Sequence, residues 1–193
     1  IFPEARDSVK FTQTDLPGVI VVELEVFRDS RGFFVESFHA EKFATGGIDA
    51  TFVQDNHSRS RRGTLRGLHA QKDYPQGKLV RATRGVVFDV AVDVREGSPT
   101  FGRWVGYELS EENFRLLYIP VGFVHGFCVL SETADVEYKC TDFYRPGDEL
   151  GVAWNDPEIG IDWPVEQPLL SENDAANPAL AALRGQLPRY ERS

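Results

Sequence analysis

Methionine is missing from this chain altogether, and cysteine is nearly so, with only Cys128 and Cys140. Two thiols are too few for a disulfide framework. Both fall in apolar, strand-like runs. Buried free thiols in a reducing compartment are the expectation, and a single bridge is the alternative that spacing allows. Long apolar runs are also lacking. None approaches the roughly 18 residues that a spanning helix needs, which excludes that class. Positive charge is in deficit: 21 Lys and Arg face 30 Asp and Glu, a net −9 over 193 residues. That balance is poor for coating a polyanion such as nucleic acid. Residues 1–8 are short, mixed in character and carry Pro3, Glu4, Arg6 and Asp7, so no leader pattern is read there. The expected location is cytoplasmic. With Ile1 in first place and no Met, the native start is expected to lie outside this chain, and residues 1–8 to form an extension outside the fold.

What the chain does contain is unevenly distributed. Between His57 and Arg84 stand eight basic residues, Arg59, Arg61, Arg62, Arg66, Lys72, Lys78, Arg81 and Arg84, opposed only by Asp73. This stretch carries +7, which leaves −16 for the remainder. A basic segment inside an acidic protein points either to a local anionic ligand or to a solvated basic face. The apolar fraction of 41% and charged fraction of 26% are ordinary for a globular chain and exclude wholesale disorder.

Short β-type segments separated by turn residues dominate the pattern. Strands are expected at 19–27, 33–38, 79–83, 86–94, 104–109, 115–119, 123–130, 136–144 and 151–154. In 86–94 the alternation is clearest: Val86, Phe88, Val90, Val92 and Val94 share one face, and Asp89, Ala91 and Asp93 the other. Helical signal is weak. One turn is expected at 40–44 and a C-terminal helix over 171–183, where Ser171 and Asp174 form a capping pair. No internal repeat or linker breaks the chain. The expectation is one all-β domain over 1–193, a jelly roll with a short C-terminal helical segment.

The chain has four histidines, His39, His57, His69 and His125. Pro120-Val121-Gly122-Phe123-Val124-His125 resembles the second half of the metal motif of cupins, a jelly-roll superfamily. The first half should supply a His-x-His pair and a Glu. Here the stretch reads Arg66-Gly67-Leu68-His69-Ala70-Gln71, so a metal triad is incomplete and no metal is expected. Arg66, His69, Lys78, His125 and Tyr138 sit at strand positions, where burial without partners is costly. His125 shares a face with Phe123 and Phe127, which fits a satisfied core histidine as well as a reactive one. Composition and spacing carry the reading as far as an anion-binding β-barrel with an acid–base-capable interior.

Nine fragments in order then resemble the dTDP-4-dehydrorhamnose 3,5-epimerase family. They are Asp29-Ser30-Arg31-Gly32-Phe33-Phe34-Val35-Glu36-Ser37, Phe52-Val53-Gln54-Asp55-Asn56-His57-Ser58, Leu65-Arg66-Gly67-Leu68-His69, Gln76-Gly77-Lys78-Leu79-Val80-Arg81, Ser98-Pro99-Thr100-Phe101-Gly102, the stretch 119–127 around His125, Glu137-Tyr138-Lys139, Trp154-Asn155-Asp156-Pro157 with Ile161-Asp162-Trp163-Pro164, and Leu170-Ser171 through Asp174-Ala175.

The resemblance implies a cupin-type barrel (a double-stranded β-helix) that works without metal or organic cofactor. It would epimerise dTDP-4-dehydro-6-deoxy-D-glucose at C3 and C5. By this resemblance His69 is the base, Asp174 its orienting partner, Tyr138 the acid, and Lys78 the cation beside the 4-keto oxygen. Arg66 holds the diphosphate, Gln54 and Asn56 hydrogen-bond the ligand, and His125 contacts the sugar. Phe34 and Tyr144 pack on the base, and Glu149 is a further ligand contact. Arg31 and Glu36 are implied to reach the partner's site in a homodimer, whereas Arg59, Arg61 and Arg62 are expected in a solvated loop. Two residues depart from the family pattern. Ala70 stands where an aromatic is usual, and Asn173 where Lys or Arg is frequent. Such changes fit a shifted substrate, so a mono-epimerase of a related dTDP-4-keto-deoxysugar is a second expectation. A metal-dependent cupin enzyme and a non-catalytic sugar-nucleotide module are more remote ones.

Overall fold

A computed structural model describes residues 9–191; the extension expected at 1–8 lies outside the described residues. The elements in chain order are β1 (Lys10–Gln13), β2 (Ile20–Glu23), β3 (Val26–Asp29), β4 (Gly32–Val35), α1 (Ala40–Thr45), β5 (Gln54–Arg61), β6 (Leu65–Gln71), β7 (Lys78–Arg84), β8 (Val86–Asp93), β9 (Trp104–Ser110), β10 (Arg115–Ile119), β11 (Phe123–Val129), β12 (Thr133–Cys140), β13 (Glu149–Gly151) and α2 (Glu172–Ala176), with a 3₁₀ turn at Leu180–Leu183. One antiparallel sheet runs β1-β2-β10-β7-β12-β5 and faces a second, β13-β6-β11-β8-β9; β3 and β4 form a separate hairpin. This is the all-β, cupin-type jelly roll.

Period-two alternation sorts the side chains into three apolar layers. Val80 and Ala82 of β7, Leu117 and Ile119 of β10, Val87 and Ala91 of β8, and Phe127 and Val129 of β11 meet between the sheets. The outer face of the first sheet presents Ile20, Val22, Leu79 and Leu116, covered by Phe43 of α1 and by Ile48. The outer face of the second presents Leu68, Val90, Val92 and Val124, covered by Val152, Ile159, Leu180 and Leu187 of the C-terminal segment. Hence β8 is buried on both sides. Its apolar face lies outside, beneath the C-terminal wrap, and its Asp89 face points into the barrel.

Several boundaries differ from expectation for physical reasons. The run 19–27 is two strands, because the chain leaves the first sheet after Glu23 and re-forms as the β3–β4 hairpin. The 171–183 helix is broken. Asn177 is extended (φ −60°, ψ 136°) before Pro178, which disfavours helical geometry in its predecessor. The expected strand at 151–154 sits earlier, at Glu149–Gly151. Strand β5 carried no apolar signal, and it places Arg59 and Arg61 in a strand where a loop was expected. Arg59 is engaged with Asp135 on β12 (2.6 and 2.7 Å). Cys128 and Cys140 are free and buried. No helix among the described residues is long and apolar enough to cross a membrane.

One close crossing positions the interior. His125 pairs with His69 and Phe127 with Arg66, so two steps along β11 span three along β6. That bulge turns Arg66 and His69, three residues apart, to the same side. It requires backbones in contact. Gly67 has φ +125°, and a Cβ there would lie 2.5 Å from Gly126 Cα; one on Gly126 would lie 2.7 Å from the Arg66 carbonyl oxygen. Gly126→Ala is therefore expected to lower stability by about 1–3 kcal/mol through overpacking. Urea unfolding with parallel activity assays checks this, and activity should fall further than the unfolded fraction explains.

Candidate active site

The barrel is plugged by the inner apolar layer at one end and opens at the other into a cavity of about 760 Å³. Its wall includes Gln54 and Asn56 from β5, Arg66 and His69 from β6, Lys78 from β7, His125 from β11, Tyr138 from β12, Tyr144, Glu149, and Asn173 and Asp174 from α2. Ten of the thirteen site residues expected from sequence thus line one space. Arg31, Phe34 and Glu36 do not. Arg31 sits at the β3–β4 turn against Asp29, Phe34 is exposed on that hairpin, and Glu36 pairs with Lys42 at 2.9 Å.

The two walls differ in chemistry. On the five-stranded side, His69 Nε2 lies 2.5 Å from Asp174 Oδ1. Asp174 is buried at the start of α2, where its amide donates to Ser171 Oγ at 3.0 Å, so the expected capping pair is present. The cap uses the backbone of Asp174 and leaves its carboxylate for His69. Burial alone raises the Asp174 carboxyl, but the His69 hydrogen bond and charge, with Ser171 and Gly67, hold it below its ordinary value.

On the six-stranded side stand Tyr138 and Lys78, the Lys78 Nζ 5.9 Å from the phenol ring centroid. Burial pushes the Tyr138 phenol up, Cys140 adds to this, and Arg66 opposes it. Burial pushes the Lys78 ammonium down, against the pull of Cys140 and Asp89. A proton is thus retained on the phenol, with cations close enough to stabilise the phenolate once it is given up.

Around this pair the polar partners are specific. Arg66 Nε donates to Ser60 Oγ at 3.1 Å, leaving the rest of the guanidinium for an anion. Gln54 Nε2 donates to Asn56 Oδ1 (3.1 Å), while Gln54 Oε1 accepts from the Tyr144 amide (2.9 Å). Tyr144 Oη donates to Glu149 at the mouth, where the ring is half exposed. Ala70 and Asn173 also line the cavity, so both departures from the family pattern face the ligand space.

Sequence reasoning missed two residues here. Gln71 holds the mouth loop: its Nε2 donates to the Tyr74 and Phe143 carbonyls (2.6 and 3.2 Å) and its Oε1 accepts from the Arg145 amide (2.7 Å). Asp89 holds His125, with Oδ1 2.7 Å from Nε2. A polar residue midway along the apolar alternation of β8 was the available signal for Asp89. Gln71 is committed to backbone groups, and among the described residues no three His, Cys, Asp or Glu side chains converge as a metal ligand set.

Comparison with known proteins agrees with this fold. The family described as dTDP-4-dehydrorhamnose 3,5-epimerase matches residues 13–182. A dTDP-4-dehydrorhamnose 3,5-epimerase of Pseudomonas aeruginosa is 58% identical over 175 residues, covering 90% of this chain and 97% of that one. The crystal structure of an epimerase from Legionella pneumophila in complex with dTDP-4-keto-L-rhamnose superposes with a TM-score of 0.92 at 50% identity, over 95% of this chain and 100% of that one. A 3′-monoepimerase from Streptomyces bikiniensis, in complex with dTDP-quinovose, superposes with a TM-score of 0.86 at 37% identity, over 92% of each chain. Fold, site and relatives together define a sugar-nucleotide isomerase of the epimerase class. The chain belongs to the dTDP-4-dehydrorhamnose 3,5-epimerase family.

The Asp174 geometry yields a prediction with a sign. A carboxyl whose folded value is depressed contributes stability that is complete above its unfolded value, about 3.9, and is lost as pH falls through the folded one. Asp174→Asn should therefore melt below the parent at neutral pH, the gap closing below about pH 4. Its kcat should fall by about 10²- to 10⁴-fold, the usual worth of a positioned proton-transfer group. Melting curves across pH and steady-state rates check both.

Proposed function

We propose that this chain forms a single cupin-like domain that epimerises dTDP-4-dehydro-6-deoxy-D-glucose at C3 and C5, giving dTDP-4-dehydro-L-rhamnose. The observation that carries the reading is that His69 and Tyr138 stand on opposite sheets across one cavity, with Lys78 beside Tyr138. Inverting a carbon by proton exchange needs a base on one face and an acid on the other.

The ketone at C4 acidifies C3–H and C5–H. His69 takes the proton from one of these carbons, and the electron pair moves into an enolate whose oxygen is met by the Lys78 ammonium. Tyr138 then delivers its phenolic proton to the opposite face of that carbon. Exchange with solvent returns His69 and Tyr138 to their starting states. Asp174 holds the imidazole in orientation and stabilises the imidazolium. Arg66 takes the diphosphate, Gln54 and Asn56 hydrogen-bond the ligand, His125 meets the sugar, and Tyr144 and Glu149 close on the nucleotide end. The two free buried thiols fit a cytoplasmic setting.

In heavy water, the expected result is deuterium at both C3 and C5 of the substrate. Label at neither position, with folded protein and authentic substrate, overturns the reading. Label at one position alone supports a 3′- or 5′-mono-epimerase. Ala70 and Asn173 on the cavity wall, and the likeness to the Streptomyces bikiniensis enzyme, favour keeping this second reading in the test.

The reading includes a homodimer in which Arg31, Phe34 and Glu36 complete the neighbouring cavity. In support, this hairpin stands away from its own cavity and exposes Phe33 and Phe34. Arg31→Ala and His69→Ala chains, each deficient alone, should regain activity when subunits are exchanged, since one site of the mixed dimer is then intact. No regain after exchange is verified would mean that each chain builds its own site.

A further inference from the structure

Asp89 is a buried acidic residue on the barrel's inner face that this mechanism does not use. It lies midway along β8 and points inward with Val87 and Ala91, and none of its surface is exposed. Oδ1 is 2.7 Å from His125 Nε2, and Oδ2 has no hydrogen-bond partner among the described residues. A carboxyl enclosed by aliphatic groups is costly, and Val or Leu would fill this layer more cheaply. The bond to His125 and the pull of the carboxylate on the Lys78 ammonium are the observable returns.

His125 is itself nearly enclosed, packed beside Phe127 with ring centroids 6.3 Å apart, and it sits on the cavity wall as the cross-strand neighbour of His69. Its only side-chain hydrogen bond among the described residues is the one to Asp89. An imidazole that gives Nε2–H to a carboxylate is, in its neutral form, left with its lone pair on Nδ1. A ring that instead carried its proton on Nδ1 would offer the sugar a donor and face Asp89 with two acceptors.

We propose that Asp89 is a positioning residue of the epimerisation site: it fixes the tautomer and tilt of His125 so that Nδ1 is offered to the cavity as an acceptor for a sugar hydroxyl. The proposal rests on the epimerase reading for its kinetics, but its structural half is independent of turnover. The hydroxyl bound to Nδ1 holds the sugar ring while C3 or C5 is presented to His69. Loss of Asp89 therefore acts on orientation during the reaction and not on capture of the nucleotide, which the other end of the cavity provides.

The test uses ¹⁵N spectra of histidine-labelled enzyme near neutral pH, with His125 assigned by loss of its signals in His125→Gln. The expected result is a protonated Nε2 and an unprotonated Nδ1 in the parent, and a mixture of tautomers in Asp89→Asn. A proton on Nδ1 in the parent overturns the proposal even if the Asn variant fails to fold. Kinetically, Asp89→Asn should lower kcat by about 10- to 100-fold, the worth of a hydrogen bond to a charged group, with dTDP affinity unchanged. The double variant with His125→Gln should be no slower than His125→Gln alone. Additive losses, or weakened dTDP binding that accompanies a lowered melting temperature, would make Asp89 a purely structural residue and overturn the proposal. A parent enzyme that exchanges no deuterium would defeat the epimerase reading while leaving the tautomer measurement to stand or fall alone.

Discussion

Gly67 and Gly126 bring the backbones of β6 and β11 so close that neither position has room for a Cβ. The bulge between Arg66 and His69 depends on that approach, and the bulge sets both side chains facing inward. Without it, residues three apart on a strand would point to opposite faces. Arg66 or His69 would then be lost to the outer layer under the C-terminal segment. Asp174 meets His69, and His125 stands beside it, only because β6 presents His69 to the interior at that point. The positions of Arg66 and His69 on the cavity wall are thus set by the same few backbone atoms.

Electrostatics follows from this arrangement. Of the eight basic residues between His57 and Arg84, Arg66 and Lys78 line the cavity. Arg59 and Arg81 form ion pairs across strands with Asp135 and Glu137. Arg61, Arg62 and Arg84 are exposed. The segment that looked like a single basic patch is therefore split by strand alternation into an interior pair and an outer set. Inside the barrel, burial raises the phenol of Tyr138 and lowers the ammonium of Lys78, so the enclosure opposes charge on both groups.

The sheet was legible wherever a strand buries apolar residues. Strand β8 alternates clearly, and β10 and β11 read as short apolar runs, because each meets at least one apolar layer. Strand β5 was not legible as a strand. Its inward residues are polar, with Gln54, Asn56 and Ser58 on the ligand space and Ser60 against Arg66, and its outward ones face solvent, so no hydrophobic period exists to detect. The C-terminal helix was over-read because Ala and Leu content outweighed Pro178. Among site residues, His69, Lys78, Tyr138 and Asp174 were found through motif resemblance, and physical spacing alone had assigned Asp174 only to a cap. Asp89 lies outside all nine motif fragments. Its role depends on a cross-strand contact with His125, 36 positions away, which no local period reveals.

The wrap of the C-terminal segment over the second sheet bears on how the protein is made. His69 and Asp174 are 105 positions apart, and the carboxylate arrives on an element that follows every strand of both sheets. Synthesis runs from the N-terminus, so a nascent chain acquires its barrel walls, Lys78, Tyr138 and Arg66 before it acquires the partner of His69. The cavity wall contributed by the strands is therefore in place earlier than the His69–Asp174 pair. On the proposed reading, turnover becomes a report that α2 has docked and that the Leu180 and Leu187 layer has closed over β8.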